Sequence, residues 1–239
     1  MNGCSSAQKH TVLAFRGTIL SQGGKFIKEL YKDLYQFSIY IPPMDFTIHQ
    51  YLLAVDPAVL FATGTIRQAE QILPQIKTIL KEKALKYIFV SHMESDECGG
   101  LSVFFKEYPD MTVICSALCA RELPGFGYQG KILVGSPGTF YSDKAIHMQF
   151  FDYPSEVHLQ GGLLCYEKNS GIFYSADLML RFGNGSGKTI KRAWKQEIEA
   201  IDITRIANDE KLKKLQGELL EISPALIAVG HGFCVECEK

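Results

Sequence analysis

The sequence predicts an α/β protein whose sheets carry helices on their outer faces. Three observations carry this expectation. Short apolar, β-branched runs recur along the chain, amphipathic stretches lie between and after them, and several runs stop abruptly at polar residues. The 239 residues are enough for one sizeable core, and no linker divides them, so residues 1–239 are expected to form a single domain.

In chain order, residues 11–20, 37–41, 46–55 and 58–62 read as strands, separated by turn signals such as Pro42-Pro43 and Asp56-Pro57. Residues 66–83 read as an amphipathic helix, with Ile72, Leu73, Ile76, Ile79 and Leu80 on one stripe. Residues 87–90 form a short apolar run of the kind expected in a buried strand, and residues 91–100 are a polar cluster. Residues 111–115 read as a strand and 116–122 as a helix. Strands are expected over 145–153, 162–167 and 172–175, charged helices over 194–200 and 209–222, and a last buried strand over 226–229.

Composition narrows the function classes. Hydrophobic residues make up 46% and charged residues 21%, as in soluble globular proteins. A net charge of −1 favours neither nucleic acid nor an anionic membrane as partner. The seven cysteines are odd in number and scattered, which argues against a disulfide framework and for a reducing, cytoplasmic setting. Residues 1–9 are polar, unlike a signal peptide, and no apolar run is long enough to span a bilayer.

Four segments share one feature: a metal-capable side chain at, or just after, the end of a short apolar run. They are Tyr87-Ile88-Phe89-Val90-Ser91-His92-Met93-Glu94-Ser95-Asp96-Glu97, Pro154-Ser155-Glu156-Val157-His158, Ile172-Phe173-Tyr174-Ser175-Ala176-Asp177 and Ile227-Ala228-Val229-Gly230-His231-Gly232. In the first, His92, Glu94 and Asp96 alternate and Glu97 adjoins them. Ionisable groups packed this closely after a buried strand repel one another unless a cation neutralises them, and two divalent metals would do so. Histidine and carboxylate donors without cysteine suit iron, manganese or zinc. Each residue alone has a plainer explanation. A lone His158 or His231 is ordinarily structural, Asp177 fits a turn, and Glu97 suits a helix N-terminus. The joint pattern is what points to metal.

Together these segments resemble the metallo-β-lactamase superfamily, and most closely its flavodiiron branch. Hydrolase branches of that superfamily carry His-x-His-x-Asp-His, whereas the flavodiiron branch has Glu for the second His. This chain has His92-Met93-Glu94-Ser95-Asp96-Glu97. The resemblance implies an αββα sandwich with two non-haem iron ions. It places His92, Glu94 and His158 on one iron, Asp96, Glu97 and His231 on the other, and Asp177 between them. The step of 19 residues from His158 to Asp177 is similar to that family's.

The chain departs from the family pattern twice. Glu97 stands where the family has His. Glu94, Asp96, Glu97 and Asp177 supply four negative charges, which two ferrous ions would balance; on this reading Glu97 stabilises the oxidised or oxygen-bound state. The chain also ends eight residues after His231, with no room for the flavodoxin domain that brings flavin mononucleotide in that branch. The resemblance therefore implies a dioxygen sensor or carrier, similar to stand-alone oxygen-binding di-iron proteins associated with bacterial chemotaxis, with no FMN in this chain. A reductase of oxygen or nitric oxide fed by a separate electron donor, such as rubredoxin or flavodoxin, is one alternative. A zinc or manganese hydrolase is the other. A signalling protein is a further expected partner, and the family's habit of dimerising implies a homodimer.

Other motifs carry less. Gly183-Asn184-Gly185-Ser186-Gly187-Lys188-Thr189 looks like the end of a phosphate-binding loop but has Phe182 where the leading Gly belongs, and reads as a flexible loop near the site. Cys234-Val235-Glu236-Cys237 has redox or zinc spacing but reads as a tail with incidental thiols. His10, His49 and His147 have no partners at ligand spacing. Tyr40, Tyr51, Tyr153, Tyr174 and Trp194 are candidates to line the site.

Overall fold

A computed structural model describes residues 26–154 and 161–238. The strand expected over 11–20, together with Glu156 and His158, lies outside the described residues.

Two sheets of seven strands each form the centre of the described chain. The first contains β1 (Phe26–Tyr31), β2 (Leu34–Ile41), β3 (Phe46–Leu53), β4 (Ala58–Phe61), β5 (Leu85–Phe89), β6 (Thr112–Cys115) and β7 (Lys131–Val134), side by side in chain order. Pairing is antiparallel from β1 to β4 and parallel from β4 to β7. The second contains β8 (Phe140–Asp143), β9 (Ile146–Tyr153), β10 (Gly162–Glu167), β11 (Ile172–Ala176), β12 (Thr189–Ala193), β13 (Leu226–Val229) and β14 (Cys234–Glu238), in the order β12-β14-β13-β11-β10-β9-β8.

The apolar pattern dictates the layering. β4, β5 and β6 bury alternate residues on opposite faces. Phe61, Phe89 and Ile114 meet Phe150, Leu164 and Tyr174 of the second sheet, while Leu60, Ile88 and Val113 turn the other way. That outer face is covered by α1 (Ile66–Leu80), whose Ala69, Ile72, Ile76 and Leu80 recur at helical spacing. The short helices α2 (Ser95–Cys98), α3 (Leu101–Glu107) and α4 (Ala117–Glu122) lie on the same side of the chain order, and α3 and α4 contribute Phe104 and Cys119 to that layer. α5 (Trp194–Glu199) and α6 (Asp209–Leu220) cover the second sheet: the Trp194 ring packs 5.4 Å from Phe173 and its indole donates to the Leu219 carbonyl. The order helix, sheet, sheet, helix is the expected αββα sandwich. No helix among the described residues is long and apolar enough to cross a membrane.

α1 begins with a reciprocal cap, as Thr65 Oγ1 accepts from Gln68 N and Gln68 Oε1 accepts from Thr65 N at 2.7 Å. The strand expected over 37–41 extends back to Leu34, and β1, β7, β8, β12 and β14 are additional to the expected set. β7 and β8 expose much of their length at sheet edges, so they lack the apolar alternation that reveals a strand. Cys234-Val235-Glu236-Cys237 is not a loose tail but most of β14, in parallel register with β12.

Candidate metal centre

The centre forms where three parallel-sheet strands end. β5 delivers Ser91 and His92, β11 delivers Asp177, and β13 delivers His231. The segment after β5 turns into α2, which carries Asp96 and Glu97 in its first turn. The β4–α1 loop holds it there: Thr63 N donates to Glu97 O, Gly64 N to Asp96 O, and Gly100 N to Gly64 O, each at 2.8 Å. Gly100 is required at this approach, since a Cβ on it would lie 2.4 Å from Ala69 Cβ.

Asp177 follows a register shift between Tyr174 and Ala176 in the β11–β13 ladder. Ala176 has φ 45°, a costly left-handed value for a residue with a side chain. The irregularity re-aims the chain so that Asp177 faces both histidines. Asp177 Oδ2 lies 3.9 Å from His92 Nε2, and Oδ1 lies 3.1 Å from His231 Nε2. Glu94 Oε2 lies 3.7 Å from His92 Nε2, and Asp96 Oδ2 lies 3.4 Å from His231 Nε2. The donor atoms of His92, Glu94 and Asp177 fall within 4.8 Å of one another, close enough to share one ion.

Each histidine is oriented through its far nitrogen. His231 Nδ1 sits 3.0 Å from the Thr47 carbonyl of β3, which turns Nε2 inward. His92 Nδ1 sits 2.7 Å from Ser91 Oγ, and its Nε2 is buried with no hydrogen-bond partner among the described residues. A buried imidazole nitrogen without a partner, aimed at two carboxylates, fits a metal ion well. The donor set of imidazole and carboxylate suits iron, manganese or zinc equally. The nearby Cys98 thiol donates instead to the Glu94 carbonyl, and burial pushes it up to about 12.

The charges are strongly coupled. Burial alone would lower His92, yet the Glu94 contact and the charges of Glu97 and Asp177 raise it overall. His231 behaves likewise under Asp177 and Asp96. Burial raises Asp96, with the His231 charge working against it. A cation among these groups would compete with their protons.

The structure brings His92, Glu94, Asp96, Asp177 and His231 to one place; His158 lies outside the described residues. Glu97 is adjacent, but both its oxygens face hydroxyls: Oε1 accepts from Tyr174 at 2.5 Å and Oε2 from Ser91 Oγ at 2.8 Å. Of the aromatic candidates, Tyr174 thus abuts the centre. Tyr40 bonds Asp45 at the surface, Tyr51 bonds the Val229 carbonyl, and Trp194 lies under α6. Ser91, Thr47 and His49 have supporting roles that sequence spacing did not reveal. His49, read as ordinary, is fully buried and props the turn after β13, its Nε2 2.7 Å from the Gly232 carbonyl.

Two motifs resolve plainly. The glycine-rich segment is strapped to the first sheet, with Gly185 N donating to Thr47 Oγ1 and Gly187 N to Gln36 Oε1. Its amides are engaged, not presented to a phosphate. Cys234 and Cys237 lie three residues apart on a regular strand and so point to opposite faces, too far apart to join.

With this geometry in view, comparison with known proteins is decisive for the family. Residues 46–232 match the family model described as ODP family beta lactamase. The chain belongs to that ODP family. Among curated proteins, this ODP-family chain is 26% identical over 199 residues to a Nostoc sp. protein that carries the name diflavin flavoprotein A 2, covering 78% of the chain and 33% of the relative. It therefore spans about a third of that relative's length. A crystal structure of a flavoprotein from Thermotoga maritima superposes with a TM-score of 0.72 at 18% identity, covering 90% of this chain and 58% of that one. The rubredoxin oxygen:oxidoreductase of Desulfovibrio gigas gives 0.71 at 16% identity, covering 88% and 57%. At these identities the structures show that the ODP-family chain shares their fold.

Proposed function

We propose that this ODP-family protein holds a pair of non-haem iron ions and binds dioxygen there, as a sensor or carrier. The observation that carries the reading is Asp177, whose two oxygens each face a different histidine, with a further carboxylate beside each histidine. A carboxylate so placed is suited to lie between two ions. His92, Glu94 and Asp177 would hold one, with His158 a further candidate, and Asp96, His231 and Asp177 would hold the other. Iron would supply electrons and an open coordination position for a diatomic gas.

The chain's own groups do the rest. Ser91 and Thr47 orient the two imidazoles. The Phe61, Phe89 and Tyr174 rings beneath exclude water from the sheet side. Glu94, about a third exposed, marks the side open to solvent. The names of the relatives support the reading: solved neighbours are called flavo-di-iron proteins and rubredoxin oxygen:oxidoreductase. Those names also support a second reading, reduction of oxygen or nitric oxide with electrons from a partner protein. A role in chemotactic signalling is the form of sensing that the sequence resemblance favours.

The test is metal content and a visible spectrum of anaerobically purified protein, before and after air. About two irons per chain and a lasting oxygen-dependent band are expected. Rapid loss of that band with steady gas consumption, once a reductase and NADH are added, would shift the assignment to a reductase. Zinc with no response to oxygen would overturn the gas reading in favour of hydrolysis.

A further inference from the structure

The geometry points to Glu97 and Tyr174 as positioning residues that act through Ser91 on His92, with Glu97 not a metal ligand. The inference rests on the metal reading above but concerns a different set of atoms.

Four groups form one chain of hydrogen bonds. The Tyr174 hydroxyl donates to Glu97 Oε1 at 2.5 Å. Glu97 Oε2 accepts from Ser91 Oγ at 2.8 Å, and more weakly from Ser91 N at 3.4 Å. Ser91 Oγ is 2.7 Å from His92 Nδ1. Burial raises Glu97, but once ionised, as at alkaline pH, it can only accept. The single Ser91 proton must then go to Glu97, so Ser91 Oγ accepts from His92, and the His92 proton sits on Nδ1. Nε2 is left as the lone pair, and it is the buried atom that faces Glu94 and Asp177 with no hydrogen-bond partner among the described residues. The chain thus selects the imidazole form able to bind metal, as carboxylate–histidine pairs do around other metals.

Every member is buried, with Tyr174 and Ser91 at 0%, His92 at 1% and Glu97 at 3% exposure, so the links are shielded from bulk water. Tyr174 is itself clamped between Phe61 and Phe89. Among the described residues no histidine nitrogen pairs with Glu97, whereas Asp96, its neighbour, lies 3.4 Å from His231.

Two measurements test this. The first reads the His92 tautomer in the metal-free protein at alkaline pH, by two-bond nitrogen–proton correlation of its imidazole. A proton on Nδ1 is expected in the parent, and its transfer to Nε2, or mixed tautomers, in Ser91→Ala. A parent ring protonated on Nε2 overturns the inference. The second titrates zinc(II) alone against a chromophoric chelator, for the parent, Ser91→Ala, Glu97→Gln and the double variant. Each single change is expected to weaken the tighter zinc about 10–100-fold, and the double variant to lose no more than either. Losses that add, or a Glu97→Gln that removes the weaker zinc alone, would make Glu97 a ligand. Should a variant not fold, the parent tautomer decides. Should zinc not bind the parent, the metal reading fails while the tautomer result stands on its own.

Discussion

Single residues at this centre are constrained by backbone as much as by chemistry. Gly232 has φ +83°, and a Cβ there would lie 2.3 Å from the Arg181 carbonyl. Gly232→Ala is expected to lose about 3 kcal/mol in urea unfolding, from conformational strain plus a forced shift; a loss under about 1 kcal/mol would refute the account. His49 gives a pH dependence. Burial lowers it from 6.5 to about 3. The unfolded chain then takes up a proton below pH 6.5 that the folded chain refuses until about pH 3. Its contribution is complete above that unfolded value and falls by about 1.4 kcal/mol per pH unit below it. Metal-free parent is therefore expected to lose roughly 2 kcal/mol more than His49→Gln between about pH 7.5 and 5. Equal slopes in the two proteins would sink the prediction. His92, Glu94 and Asp96 were legible because alternating ionisable side chains after a buried strand are conspicuous. Their supports were not. Ser91 is an ordinary residue just past β5, and Tyr174, one of the aromatic residues expected as candidates to line the site, reaches Glu97 because the sheets stack.

Among the elements, those with a buried face were readable and those at edges were not. β4 and β13 are apolar throughout, and β5 and β11 nearly so, with Lys86 and Ser175 the exceptions, because both faces are covered. β14 escaped notice because Glu236 and Cys237 interrupt it, although its pairing with β12 and β13 makes it an interior strand. α1 was legible from its stripe, and its cap contributes separately. Thr65→Ala is expected to cost about 1 kcal/mol of stability. The adjacent Thr63 and Gly64 brace the Asp96–Glu97 segment, so the same variant should also bind zinc somewhat more weakly. Unchanged stability would mean the cap is redundant. At β5, Phe89 stacks on Phe150 and meets the edge of Tyr174. Phe89→Ala should cost about 3–5 kcal/mol, read from the denaturant midpoint, and a cost below about 2 would show that the layer collapses to fill the gap.

For the whole molecule, the αββα layering follows from the order of strands and helices, and was expected from the chain. What spacing could not supply is how the candidate ligands divide. His92, Glu94 and Asp96 follow strands of the first sheet, while Asp177 and His231 follow strands of the second. His231 also leans back across the seam onto Thr47. An ion held by both groups ties sheet to sheet and binds only the folded arrangement. Free metal at about a hundred times its dissociation constant should then add about 2.7 kcal/mol of stability. A melting temperature indifferent to added iron or zinc would contradict a centre shared between the sheets. The division has a further consequence. Where metal is scarce the chain would keep both layers, still joined by their shared apolar core, but lose this added tie, and proteases act on whichever form opens more often. Cellular abundance of the protein would then follow the supply of whichever metal fills the centre.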